Sequence, residues 1–186
     1  MRAVAILSIL VTGCVRDPLP AVCPDLAAGD LAVSEIRKAS TSDSLASWVE
    51  LYNTTGGALD LRGLVLRFRN PDGASETDVT VRRSLAVGAG GYVVLGLTTD
   101  DDANRPAYVD YGFLDDFGAT FPSAAALDVE ACATLVDRVQ YSALPSTGTY
   151  SLGTMPPDAN ANDFTTNWCT DVTLAGTPQH ANIACP

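Results

Sequence analysis

Trp48-Val49-Glu50-Leu51-Tyr52-Asn53 alternates side by side in a way that only an extended strand uses well. Successive strand side chains point to opposite faces. Val49 and Leu51 therefore share one face, and Trp48, Glu50 and Tyr52 the other. Gly56-Gly57 follows and permits a reversal into Ala58-Leu59-Asp60-Leu61. A two-faced strand of this kind needs neighbours on both edges, and the rest of the chain supplies them.

The same period-2 pattern recurs along the sequence. Leu31 to Ile36, Leu64 to Arg69 and Thr77 to Arg82 read as strands, as do Tyr92 to Leu97, Ala126 to Val129, Thr134 to Tyr141 and Gly148 to Leu152. In the Thr134–Tyr141 run, Leu135, Asp137, Val139 and Tyr141 are expected on one face. Asn70-Pro71-Asp72-Gly73 and Gly88-Ala89-Gly90-Gly91 are turn signals. About eight short strands without an amphipathic helix predict an all-β antiparallel sandwich. From Gly153 onward the chain is rich in Pro, Asn and Gly and is expected to be a long irregular coil wrapped on the domain.

The N-terminus reads as an export signal. Arg2 supplies a positive start, and Ala3 to Val11 is apolar. That run is far short of the roughly 20 residues that cross a bilayer. Val11-Thr12-Gly13-Cys14 resembles a lipobox, which implies cleavage before Cys14 and lipidation of its sulfur. Residues 1–13 are then a lipoprotein signal peptide and 14–30 a tether containing Pro18, Pro20 and Pro24. Residues 31–186 are the domain. Val15 after the cysteine implies sorting to the outer membrane of a bacterial envelope.

Five cysteines fit an exported protein. With Cys14 lipidated, four remain and allow three pairings. Cys23 and Cys185 flank the domain, so the expected pairs are Cys23–Cys185 and Cys132–Cys169. No CxxC spacing occurs and His180 is the only histidine, which argues against a zinc site. The net charge of −11 argues against nucleic-acid partners, which need clustered Lys and Arg.

The ordered set WVELYN, Asp60-Leu61-Arg62-Gly63-Leu64-Val65-Leu66, Gly90-Gly91-Tyr92-Val93-Val94-Leu95 and Val136-Asp137-Arg138-Val139-Gln140-Tyr141 resembles the lamin-tail domain. Trp168, Gly176-Thr177-Pro178 and Asn182 match the tail of that pattern. Gln179 stands where the family has Gly. The resemblance spans roughly residues 31 to 183. It implies a small immunoglobulin-like β-sandwich that serves as a non-catalytic interaction module, with a structural or adhesive role toward a protein or glycan partner.

Other chemistries have thinner support. No GxSxG motif occurs, and His180 lies in a coil outside any nucleophile motif. Glu50 is the one acid inside a strong strand, and an ion pair with Lys38 or Arg67 is its expected role. Asp100, Asp101, Asp102 and Asn104 offer oxygen ligands for calcium, with Asp110 beyond, and Asp158 to Asp163 alternates oxygen side chains. Trp48 and Tyr52 could grip a sugar if exposed, whereas a tail lying over that sheet face would cover them. The alternative to an adhesive module is therefore a calcium- or carbohydrate-binding one.

Overall fold

A computed structural model describes residues 22–39, 45–72, 75–118, 120–173 and 175–186. The signal peptide and Cys14 lie outside them. The chain is an all-β sandwich. Its strands are β1 (Leu31–Arg37), β2 (Trp48–Asn53), β3 (Leu59–Asp60), β4 (Leu64–Arg69), β5 (Glu76–Thr80), β6 (Ala86–Val87), β7 (Tyr92–Gly96), β8 (Tyr111–Gly112), β9 (Ala125–Ala131), β10 (Thr134–Tyr141), β11 (Thr149–Leu152) and β12 (Trp168–Asp171). A single helical turn, α1 (Leu114–Phe117), precedes β9.

One sheet has the order β12-β11-β1-β2-β7-β8, and the other β10-β9-β4-β5; β3 and β6 form a small ribbon. All pairings are antiparallel except β7 with β8. The core lies between the sheets. Val33, Ile36, Val49, Leu51, Val93 and Leu95 line it from the first sheet, and Leu64, Leu66, Phe68, Leu127 and Val129 from the second. Phe68 meets Phe117 and Phe121 at ring distances of 4.9 and 5.1 Å, closing one side of the core beside α1.

Three expectations need correction. The C-terminal region is not all coil, because Trp168–Asp171 adds β12 to the edge of the larger sheet, with Trp168 stacked on Tyr150. This strand is invisible as a pattern because it is four residues long and begins directly after a 3-10 turn at Thr165–Asn167. In β10, the register shifts between Leu135 and Asp137. Such a bulge turns the strand by one residue, so Val136, not Leu135, joins Val139 and Tyr141 in the core, and Leu135 is exposed.

The disulfides are Cys23–Cys132 and Cys169–Cys185, not Cys23–Cys185 and Cys132–Cys169. The termini lie on different parts of the sandwich. The segment before β1 packs against Gly63, at the start of β4, and buries Leu26. Leu64 pairs with Ala131, so Cys132 in the β9–β10 turn sits beside that segment. Cys185 instead lies beside Gly153 and β12, where Cys169 awaits it. The end of the expected tether, from Val22, is thus part of the folded domain.

Asn53 ends β2 and organises the turns around it. Its Nδ2 donates to the carbonyls of Gly57, Val87 and Gly88, and its Oδ1 accepts from the Thr55 N–H and hydroxyl. A buried amide with this many partners joins two loops that no ladder connects. Asn53→Ala should lower unfolding stability by about 2–4 kcal/mol in urea titration, since it strands buried carbonyls. Peptide mapping under non-reducing conditions should recover Cys23 with Cys132 and Cys169 with Cys185. Their loops span 109 and 16 residues, so removing the first should cost about 4–5 kcal/mol and the second about 3 kcal/mol in the chain-entropy picture.

Candidate functional site

The outer face of the larger sheet carries buried acids. Glu35 on β1 and Glu50 on β2 are directly opposed across the ladder, and neither is exposed to solvent. Like charges opposite each other on a sheet are unfavourable, and burial penalises each charge further. A strand sequence alone would put these side chains in water. They are covered instead by residues 176–185, which run as a strap over the sheet face.

Each contact of the strap is specific. Thr177 donates its N–H and hydroxyl to Glu35, the N–H at 3.2 Å to Oε2. Gln179 donates its N–H to Glu50 Oε2 at 2.6 Å and its side-chain amide to Asp110 Oδ1 at 3.0 Å. Asn182 donates to the carbonyls of Ser34 and Leu152. The Cys169–Cys185 bond ties down the far end. From below, Thr149 and Ser151 on β11 donate to Glu35 Oε1, and Ser34 donates to Glu50 Oε1 at 2.7 Å.

Two backbone positions allow the strap to approach. Gly176 has φ +71°, and a Cβ there would lie 2.6 Å from Glu35 Oε1. Gln179 has φ +66°, so it takes the left-handed conformation that a glycine would adopt easily. In return its side chain reaches Asp110, a contact no glycine could make.

Burial raises the carboxyl of Glu35 and pushes that of Glu50 up to about 8; the facing Glu35 and Asp110 charges add to the Glu50 shift. Glu50 is therefore protonated at neutral pH. Its geometry accommodates the neutral acid, since one oxygen accepts from Gln179 N–H while the other can share its proton with the Ser34 hydroxyl. A third buried acid, Asp137, is pushed up to about 6 by burial. It accepts from Val33 N–H and Asn162 Nδ2, both at 2.7 Å, and so links the β1 bulge to β10.

The expected ion pair of Glu50 with Lys38 or Arg67 is not formed. Lys38 donates to Ser123. Arg67 lies on the other sheet, pairing with Asp78, Glu76 and Glu130. Trp48 is fully buried under Val109 and Tyr108, and Tyr52 packs on Tyr92. Neither aromatic forms an open sugar platform. The cover over Trp48 comes from Tyr108 and Val109, and the cover over Glu50 from the strap.

The calcium candidates do not converge. Asp100 is engaged by Arg83, Arg105 and the Gly112 N–H. Asp102 caps the Asn104 N–H, and Asp101 is exposed. Asp158 caps Asn160 and Ala161, while Asn162 is buried against Val33 and Asp137. Among the described residues, no group of three or more His, Cys, Asp or Glu is disposed to hold a metal ion. His180 is exposed, its N–H bonded to the Thr177 carbonyl. Glu35 and Asn182 carry much of the site, and sequence reasoning passed over the first because Leu31–Ile36 alternates loosely. No protein-family model matches the chain, and a search of curated proteins returns no match.

The raised carboxyls set the sign of the pH dependence. An ordinary Glu has its carboxyl near 4.5, so between there and about 8 the folded protein binds the extra proton and the unfolded chain does not. Stability is then greatest near the low end of that window and falls as pH rises. Melting temperature should drop from pH 5 to pH 8.5. Glu50→Gln keeps an acceptor for Gln179 and a donor for Ser34, so it should flatten that drop; an unchanged slope would place the titration elsewhere.

Proposed function

We propose that this chain is a lipid-anchored, non-catalytic module of the bacterial cell envelope, a lamin-tail-like sandwich with a structural, adhesive or protein-binding role. The observation that carries this reading is the strap. Two fully buried acids, Glu35 and Glu50, accept hydrogen bonds from the chain's own hydroxyls and backbone, beneath a segment tied to β12 by a disulfide. Acids held in that way serve architecture, and a reaction centre would need access to substrate.

Supporting features lie elsewhere in the chain. The motif residues of the lamin-tail resemblance fall on strands of the sandwich: WVELYN is β2, Leu64-Val65-Leu66 opens β4, Tyr92 to Leu95 lies in β7, and Val136 to Tyr141 lies in β10. Gly176, Thr177 and Asn182 build the strap. Two disulfides suit an oxidising compartment. The lipobox cysteine Cys14 supplies the anchor, and acylation at more than one position gives stable membrane attachment.

Expression of the full chain with radiolabelled palmitate should label the wild type and leave Cys14→Ser unlabelled. Cys14→Ser should also move from the detergent phase to the aqueous phase on Triton X-114 partition. Equal partition of the two proteins would rule out the anchor.

A further inference from the structure

The outer face of the smaller sheet holds a groove of about 510 Å³, within the size range of small-ligand sites. It lies between the β4–β5 turn, the ends of β9 and β10, and the 3-10 turn. The protein as a whole is strongly acidic, yet the charged side chains lining this groove are Arg69 and Arg138. Asn70, Gln140, Ser142 and Thr165 complete its polar wall, and the small side chains of residues 124–126 leave room on the floor.

One buried carboxylate fixes both guanidinium groups. Asp128 is fully buried; Arg138 binds it in a bidentate fork, Nε at 2.5 Å and Nη2 at 2.9 Å. Arg69 Nη2 lies 2.9 Å from Asp128 Oδ2 and 3.3 Å from Glu130 Oε1. The fork occupies one edge of the Arg138 guanidinium and holds its plane, while Arg69 is held through Nη2 by two acids, with its Nε 3.6 Å from Glu76 Oε2. Among the described residues, the Nη1 group of neither arginine has a hydrogen-bond partner. Two arginines oriented in advance, with donors left over, recognise a planar carboxylate well. Amide and hydroxyl side chains around them suit a hydroxyl-rich body, and Pro71, Ala124, Ala125, Ala126 and Tyr141 supply an apolar floor on which the C–H face of a sugar ring can lie.

The geometry points to a binding site for a carboxylate-bearing saccharide, a uronate-type sugar, with its carboxylate on Arg138 and Arg69 and its hydroxyls on Gln140, Asn70 and Thr165. Arg138 is the main carboxylate contact, being the more exposed of the two. Gln140 serves as a specificity residue, because it is exposed and makes no hydrogen bond that the fold requires. None of the residues lining the groove belongs to the strap.

Isothermal titration of the protein with trigalacturonate, its methyl ester and triglutamate tests this assignment. Trigalacturonate should bind, the neutral ester at least 10-fold more weakly. Arg138→Gln and Gln140→Ala should each weaken trigalacturonate at least 10-fold, with the melting temperature of Gln140→Ala unchanged. Absence of trigalacturonate binding at millimolar concentration, equal binding of the ester, or binding that survives both substitutions would overturn the proposal. Triglutamate binding as tight as trigalacturonate would also overturn it, by assigning the groove to acidic peptides.

Discussion

Two backbone N–H groups, those of Thr177 and Gln179, decide the character of the larger sheet. They reach Glu35 and Glu50 from above, where the sheet face would otherwise hold water. A carboxylate buried without donors is among the costliest groups a protein can contain. With donors from the strap, from Ser34 and from β11, the same groups become fixed points that define where the strap must lie. The disulfide to Cys169 then acts on a segment that hydrogen bonds have already positioned.

The two faces of the sandwich answer the same problem differently. On the larger sheet, acids are buried among neutral donors, and at least Glu50 keeps its proton near neutrality. On the smaller sheet, acids are met by arginines: Arg67 with Asp78, Glu76 and Glu130, and Arg69 and Arg138 with Asp128. The exposed pairs among them, such as Arg67 with Asp78 and Glu76, contribute little individually to stability. Their effect lies in orientation, because a guanidinium with one edge occupied points its other edge in a fixed direction.

The sheets were legible in the sequence because period-2 alternation is a local signal. β1, β2, β4, β7 and β10 fall where Leu31, Trp48, Leu64, Tyr92 and Thr134 begin their runs, and β11 starts one residue into the run from Gly148. Short β6, β8 and β12 carry two to four residues each, too few for a period to show. The site was far less legible. Its donors come from Thr177 and Gln179, more than 120 residues from the acids they meet, and backbone N–H groups leave no trace in residue identity. The disulfide pairing failed for a related reason: which turn lies beside which terminus depends on sheet order, as Cys132 next to Cys23 illustrates. The lamin-tail resemblance offered one usable clue: where its pattern has Gly, Gln179 takes the left-handed conformation and marks where the strap turns toward Glu50.

The strap also ties folding to proton uptake. Thr177 and Glu35 are 142 residues apart, so the ladder between β1 and β2 can assemble from local contacts while the strap is still searching, with its acids solvated and ionised. Docking must then draw a proton from solution onto Glu50. Closure of this face is in effect an acid-consuming step, disfavoured by alkalinity, and it is sealed only where an oxidant can join Cys169 to Cys185.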